Sequence, residues 1–230
     1  MLAGNLKQDE KYIFALHPHG ILPFGGMINI LTDCNGFSQK MISIQVRTLV
    51  ASFCFYIPVY REVLLAGGVC DASRYSASGI LKSGKSVALV PGGASEALYT
   101  SQTEDVMFLK SRKGFIKLAM THGCKIVPIF SFNESNTYNQ LPMSNPQVMW
   151  AKKKFQGIFG LSLPLITNLI PRRVPITSVI GDPVDVPHLE NPTDEEVSKA
   201  LEYYIVELEK FYNLHREKYN IPKTKTIRII

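Results

Sequence analysis

Lys11 to Gly20 reads KYIFALHPHG. Tyr12 to Leu16 are five consecutive apolar residues, too short a run for a helix and suited to a strand buried on both faces. Pro18 cannot donate to a strand ladder, so the strand should stop there. Gly20 permits a sharp turn or a close backbone approach. Two of the chain's five histidines, His17 and His19, are thereby offered at the carboxyl end of a buried strand, where open α/β folds place their ligands. Histidine is also the side chain whose ordinary pKa suits proton transfer near neutrality. A lone histidine in a turn would read as a satisfied core residue; a pair bracketing a proline points to function.

Outward from this strand, Gly20 to Ile30 predicts a loop entering a helix at about Gly26 to Leu31. Ser38 to Phe55 places Ile42, Val46, Leu49, Val50 and Phe53 at helical spacing and predicts an amphipathic helix. Leu64 to Arg74 predicts a short strand, then a helix capped by Ser73 and closed near Gly84. Ser86 to Val90 is a second buried strand, and Lys125 to Phe130 a third, interrupted by Pro128. Between them Ser111 can cap a helix that runs to His122 and ends at Gly123. Ile176 to Ile180 predicts another strand. Thr193 to Lys218 is the clearest helix, opened by a Thr193/Glu196 capping box. Helix and strand alternate from Ser73 to Phe130, so the fold class is α/β: a mixed, mainly parallel sheet flanked by helices, in a single domain over residues 1–230. Right-handed crossovers bring the carboxyl ends of parallel strands to one edge. His17, His19, the glycines after Val90 and the residues after Phe130 should converge there.

Hydrophobic residues make up 46% of the 230 and charged residues 19%, and the mean hydropathy is +0.05. That is greasy for a soluble enzyme and predicts contact with something apolar. The net charge of +6 and pI of about 9.1 favour anionic partners such as phosphates or anionic lipid head groups. Nucleic acid is disfavoured, because the basic residues are not interleaved with aromatics in a recognised module. The four cysteines have no CxxC spacing, which argues against zinc and against a disulfide framework and suits a reducing compartment. Met1 to Lys11 is polar, unlike a signal peptide, and no apolar run reaches 18 residues. Asn133 to Trp150 reads as a polar loop. Ala151 to Arg173 is an apolar run flanked by basic residues, which suits a surface lying on anionic lipid or a core hairpin.

Chemistry concentrates in two further places. Val90 to Glu96, VPGGASE, is a glycine-rich turn after a buried strand, and the backbone N–H groups of Gly92 and Gly93 could cradle an oxyanion or phosphate. Glu96 is the one carboxylate this loop brings to the edge, where it could orient a histidine or serve the next helix as an N-terminal acid. Arg112 and Lys113 put two cations at a helix start, against the helix dipole, so a polyanion is one answer to their placement. Arg74, just after a cap, invites the same reading. The chain has no P-loop, GxGxxG, HExxH or GxSxG, which excludes the nucleotide, NAD, zinc-protease and α/β-hydrolase chemistries those motifs carry.

HPHG (17–20), GGVCDASR (67–74), VPGGASEAL (90–98), RKGFIKLAMTHG (112–123), KIVPIFSFNE (125–134) and GDPVDVP (181–187) occur in this order. The set closely resembles the diacylglycerol acyltransferase 2 family, which includes monoacylglycerol and wax-alcohol acyltransferases, and more distantly the glycerophosphate acyltransferases. The resemblance implies a glycerophosphate-acyltransferase-like fold and transfer of a fatty acyl group from acyl-CoA, as co-substrate, to a neutral glyceride hydroxyl. It implies His19 as the base, His17 as a positioning or substrate-binding residue, Glu96 as the group that orients or charge-stabilises His19, and Arg74, Arg112 and Lys113 as residues that meet coenzyme phosphates or help shape the site. No metal and no prosthetic cofactor is implied. The expected setting is the cytosolic face of the endoplasmic reticulum membrane or a lipid-droplet surface, with a homo-oligomer admitted. Alternatives are a monoacylglycerol, wax-alcohol or lysophosphatidate acyltransferase, or a non-catalytic lipid-binding module. Two departures stand out. The His-x4-Asp motif of glycerophosphate acyltransferases would need Asp at position 24, where this chain has Phe24. The family's N-terminal membrane hairpin ahead of HPHG is not among these residues. In addition, Asn133 stands where the family usually has glycine in a Phe-Gly-Glu turn.

Overall fold

The computed structural model describes residues 6–32, 35–40, 44–139, 166–168, 170–219, 221–222 and 224–230, together with positions 146, 150 and 154. The strands are β1 (Tyr12–His17), β2 (Val46–Val50), β3 (Cys70–Asp71), β4 (Ser86–Leu89), β5 (Glu104–Met107), β6 (Lys125–Phe132), β7 (Thr177–Ile180) and β8 (Thr226–Ile229). The helices are α1 (Phe24–Leu31), α2 (Phe37–Lys40), α3 (Tyr60–Ala66), α4 (Arg74–Lys82), α5 (Ala94–Tyr99), α6 (Gly114–His122) and α7 (Asp194–Arg216). Six strands form one sheet in the order β3-β2-β4-β1-β6-β7. All neighbours are parallel except β7, which runs antiparallel to β6. The mainly parallel, helix-flanked α/β architecture expected from the alternation is the one observed.

β1 lies at the centre, between β4 and β6. Its six residues are all buried because both faces of the sheet are covered, as parallel strands require. The two-residue period of a strand sorts them. Ile13 and Ala15 join the large core built with Leu81, Ile116, Ala119, Leu201, Tyr204 and Leu208 of α4, α6 and α7. Tyr12, Phe14 and Leu16 join a smaller core with Phe37 of α2 and Ile129. α1 lies over this second face, and Gly25 and Gly26 let it come close. A Cβ on Gly26 would fall 2.2 Å from Leu16 Cδ2. α7 is opened by the capping box, with Thr193 accepting the Glu196 N–H and Glu196 accepting the Thr193 N–H.

Four expectations need correction or placement. Residues 46–50, read as part of an amphipathic helix from Ser38 to Phe55, form β2. Val46, Thr48 and Val50 are β-branched and pair with β4 and β3, so strand pairing overrides an apolar spacing that also fits a helix. Among the described residues there, Phe37–Lys40 and a 3-10 turn at Ser52–Tyr56 are the helical ones. α6 begins at Gly114 with no side-chain cap, so Ser111 does not cap it. Pro128 does not interrupt β6: the strand continues to Phe132. The carbonyl of Pro128 accepts from Gly181, just beyond the end of β7. N–H and C=O of one strand residue point to the same side, so the proline lacks its donor where the regular ladder has already ended. Most of Ala151 to Arg173, read as a lipid-facing run or a core hairpin, lies outside the described residues.

β5 and β8, which local sequence patterns do not reveal, form a separate two-stranded parallel sheet. A buried ion pair ties it to the segment after β6: Lys225 Nζ sits 3.0 Å from Asp105 Oδ1 and donates to Ser135 Oγ at 3.0 Å. No described helix is long and apolar enough to cross a membrane.

Candidate active site

The carboxyl ends of β4, β1 and β6 are neighbours, and the chain leaves them through the Pro91–Gly93 turn, the His-Pro-His-Gly turn and Asn133-Glu134. The expected convergence is therefore present. The two histidines separate sharply. His17 continues the odd-numbered face of β1 into the large core and is 1% exposed. Its Nε2 shares a 2.8 Å hydrogen bond with Tyr204 Oη of α7, while Nδ1 finds no partner among the described residues. Burial pushes its pKa down to about 3, so the ring is neutral. His19 lies beyond Pro18 and is half-buried. Its Nδ1 is 3.0 Å from the Gly20 carbonyl. A carbonyl can only accept, so Nδ1 carries the proton and Nε2 keeps its lone pair. Burial lowers the His19 pKa, partly offset by that carbonyl. The result is a neutral imidazole with a free basic nitrogen, the form a general base needs.

Glu96 reaches His19 differently from the expectation. Its carboxylate accepts the backbone N–H of His19 at 2.7 Å and that of Phe108 at 2.9 Å, so it braces the main chain and does not touch the ring. The residue that sets the ring's tautomer is Gly20. Glu96 is completely buried, and burial raises its pKa to about 7 against the opposing pull of the two amides and Arg112. Gly92 lies directly on this carboxylate: a Cβ there would fall 1.8 Å from Glu96 Oε1. Gly93 adopts φ +55° and ψ −153°, a region open essentially to glycine alone. Its N–H donates to the Val90 carbonyl and closes the turn, leaving Gly92 as the loop glycine whose N–H has no internal partner among the described residues.

A second buried carboxylate was missed. Glu134, 0% exposed, accepts from the N–H groups of Phe24 at 3.0 Å and Gly25 at 2.7 Å, at the start of α1. Its Cγ also packs beneath Gly20. Glu96 and Glu134 thus hold the His-Pro-His-Gly segment at both ends, one at His19 and one where the chain enters α1. The available signal was its position straight after a buried strand at the carboxyl edge. Tyr204 falls on the buried face of α7, and its hydroxyl, a polar group in an apolar stripe, is the one sequence clue to this partnership.

The expected cations divide. Arg112 Nη2 donates to Ser95 Oγ at 2.7 Å and comes within 3.5 Å of the Gly92 carbonyl, so the glycine loop and this guanidinium are one unit. Lys113 is the exposed residue that precedes α6 beside it. Arg74 opens α4 at the same edge, exposed, after the Ser73 cap. It follows β3, three strands from β1, or roughly 14 Å at about 4.8 Å per strand.

Two changes test this framework. Tyr204→Phe removes one hydroxyl and leaves His17 Nε2 buried without a partner. A destabilisation of about 1–2 kcal/mol is expected, read as a lower urea midpoint at unchanged slope; an unmoved midpoint would show that the bond contributes nothing. Glu134 has a pKa raised from 4.5 to about 8 by burial. The folded state therefore holds this proton more tightly than the unfolded chain. Its contribution is full below pH 4.5 and is lost as pH rises towards 8, with a limiting slope of about 1.4 kcal/mol per pH unit. Glu134→Gln lacks that titration. The stability of the wild type relative to Glu134→Gln should accordingly fall between pH 5 and pH 8, measured by urea unfolding at each pH; a constant difference would contradict the assignment.

Fold and site together define an α/β protein with a neutral histidine presented in a braced turn at the carboxyl edge of its sheet. The family model described as diacylglycerol acyltransferase matches residues 2–230, and the chain belongs to that family. It is similar to human diacylglycerol O-acyltransferase 2, at 34% identity over 240 residues, covering 98% of this chain and 62% of the relative. Human 2-acylglycerol O-acyltransferase 3 is 35% identical, covering 99% of this chain and 71% of its own. Diacylglycerol O-acyltransferase 2 of Dictyostelium discoideum is 33% identical, with 100% and 73% covered. The chain thus spans somewhat less than two thirds of the length of the human diacylglycerol enzyme. No solved structure matches it.

Proposed function

We propose that this chain transfers a fatty acyl group from acyl-CoA to the free hydroxyl of diacylglycerol, making triacylglycerol, on a glycerophosphate-acyltransferase-like scaffold. The observation that carries the reading is His19: neutral, half-buried, with Nδ1–H fixed on Gly20 and Nε2 unprotonated. In this reading Nε2 removes the proton of the acceptor hydroxyl as its oxygen attacks the thioester carbonyl. The thiolate of CoA leaves and recovers a proton from the imidazolium, so the histidine ends as it began. The Gly92 N–H is the candidate donor to the oxyanion of the tetrahedral intermediate. His17 anchors the turn from within the core and does not meet substrate. Arg112 and Lys113 are placed for phosphates of the coenzyme beside the glycine loop, and Arg74 for a more distant part of the same long ligand. The step needs neither metal nor prosthetic group.

The setting we propose is the cytosolic face of the endoplasmic reticulum membrane or a lipid droplet, where the acceptor dissolves. The test is purified protein in mixed micelles with labelled acyl-CoA and a panel of diacylglycerol, monoacylglycerol, fatty alcohol and lysophosphatidate. Monoacylglycerol belongs in the panel because the human 2-acylglycerol enzyme matches the chain as well as the diacylglycerol enzyme does. Labelled triacylglycerol as the main product is the expected result. Transfer to another acceptor alone would replace the substrate assignment, and no transfer to any would remove the reading.

A further inference from the structure

Residues 51–66 read ASFCFYIPVYREVLLA, with Arg61 and Glu62 as their sole charges. So apolar a stretch ordinarily feeds a core. Here Leu64 is the one fully buried residue. Tyr56 is 85% exposed, Val59 76%, Val63 62% and Leu65 52%. Val59 even takes φ +69°, a conformation that a β-branched residue rarely adopts, with its side chain in the open. Val59 stands immediately before α3 (Tyr60–Ala66), which carries Val63 and Leu65.

Topology fixes where this surface lies. β2 ends at Val50, and β3 pairs only with its last two residues, Leu49 with Cys70 and Val50 with Asp71. The excursion between them therefore leaves and re-enters at the carboxyl edge. Leu22, which follows β1, and Tyr75, which follows β3, are exposed at that edge too, Tyr75 to 91%. It is also the edge that carries His19. Exposed tyrosines beside aliphatic side chains are the makeup of a membrane–water boundary. Arg61 and Glu62 lie within α3, and Arg74 opens α4 after β3. Arg47 reaches Gly68 just after α3, and Asp71 accepts from Ser52. The three arginines outnumber the two acids on a chain of net charge +6, which complements an anionic lipid surface.

We propose that residues 51–66, with Leu22 and Tyr75, seat in the headgroup–acyl boundary of an anionic bilayer and turn the carboxyl edge of the sheet towards it. This deepens the acyl-transfer reading and rests on it for its purpose: a glyceride dissolved in the membrane meets His19 without crossing water. The seating itself is a matter of apolar area and charge.

The test is co-sedimentation of the full chain with phosphatidylcholine–phosphatidylserine vesicles, beside a Val59→Asp/Val63→Asp/Leu65→Asp variant and the milder Tyr56→Ser. All four side chains are exposed, so thermal unfolding should stay near wild type. Vesicle affinity should fall at least about tenfold in the triple variant and less in Tyr56→Ser. Wild-type affinity in the triple variant overturns the proposal, as does a wild type that ignores these vesicles. A wild-type dimer that the substitutions break while vesicle binding is unchanged also overturns it, in favour of a second copy of the chain. A wild type that binds through this face but transfers no acyl group supports the docking and removes only the acyl-transfer reading.

Discussion

His19→Ala is expected to lower the proposed acyl transfer by roughly 10²-fold or more, the usual contribution of a positioned general base, while the protein unfolds at close to its wild-type midpoint. The two halves of this expectation have separate causes. The imidazole of His19 makes one hydrogen bond, to the carbonyl of its own neighbour Gly20, so its loss leaves no distant group unpaired. The bond that does bind distant elements together, from the His19 N–H to Glu96, belongs to the backbone and survives in alanine. The rate falls because nothing else on the described edge offers an unprotonated nitrogen: His17 is sealed in the core against Tyr204. The measurement is kcat with labelled acyl-CoA and diacylglycerol, alongside thermal unfolding of the same preparation. Near-normal turnover would remove His19 as the base. A collapsed midpoint would mean that the ring supports the turn, and the rate loss would no longer report on chemistry.

Much of this site was legible because its parts are local. A five-residue apolar run can be little else than a buried strand, and the residues after it must appear at the strand's carboxyl end. That logic puts His17, His19 and Gly92 on one edge from the sequence alone. The failures were of two physical kinds. Residues 46–50 carry an apolar spacing that fits helix and strand alike, and partners far along the chain, β4 and β3, chose between them. β8 depends on pairing with β5 more than a hundred residues earlier, which no local pattern encodes. The backbone contacts of Glu96 are hidden from the sequence for a related reason. Proximity to a histidine suggested a side-chain partner, but backbone N–H groups in a tight turn also need acceptors, and two of them claim this carboxylate. Glu134 answers the same need at α1. Where the His-x4-Asp motif of glycerophosphate acyltransferases would call for an aspartate, five residues after His19, this chain has Phe24, whose N–H is one of those that Glu134 holds. The fifth position is thus still tied to a carboxylate, through its backbone.

The largest structural effect is expected at Gly92. Alanine there would put Cβ 1.8 Å from Glu96 Oε1, 2.1 Å from Cδ and 2.5 Å from Cγ, far inside any tolerable contact. Glu96 has nowhere to retreat, because it is wholly buried and both of its oxygens are engaged. Relief means expelling the carboxylate from the His19 and Phe108 amides or displacing the glycine turn. Overpacking costs about 1–3 kcal/mol, and each buried N–H left without an acceptor about 1–3 kcal/mol more. The expected loss is at least about 3 kcal/mol, a large part of the stability of an average domain. Gly92→Ala should therefore be poorly soluble or unfold at much lower denaturant. A double-mutant cycle identifies the cause. In a Glu96→Ala background the space under Gly92 is empty, so adding Gly92→Ala should cost under about 1 kcal/mol. If Gly92→Ala costs the same in both backgrounds, the collision is not with Glu96. The glycine would then be required by the backbone of the turn alone, and the carboxylate under the loop would no longer explain why this position carries no side chain.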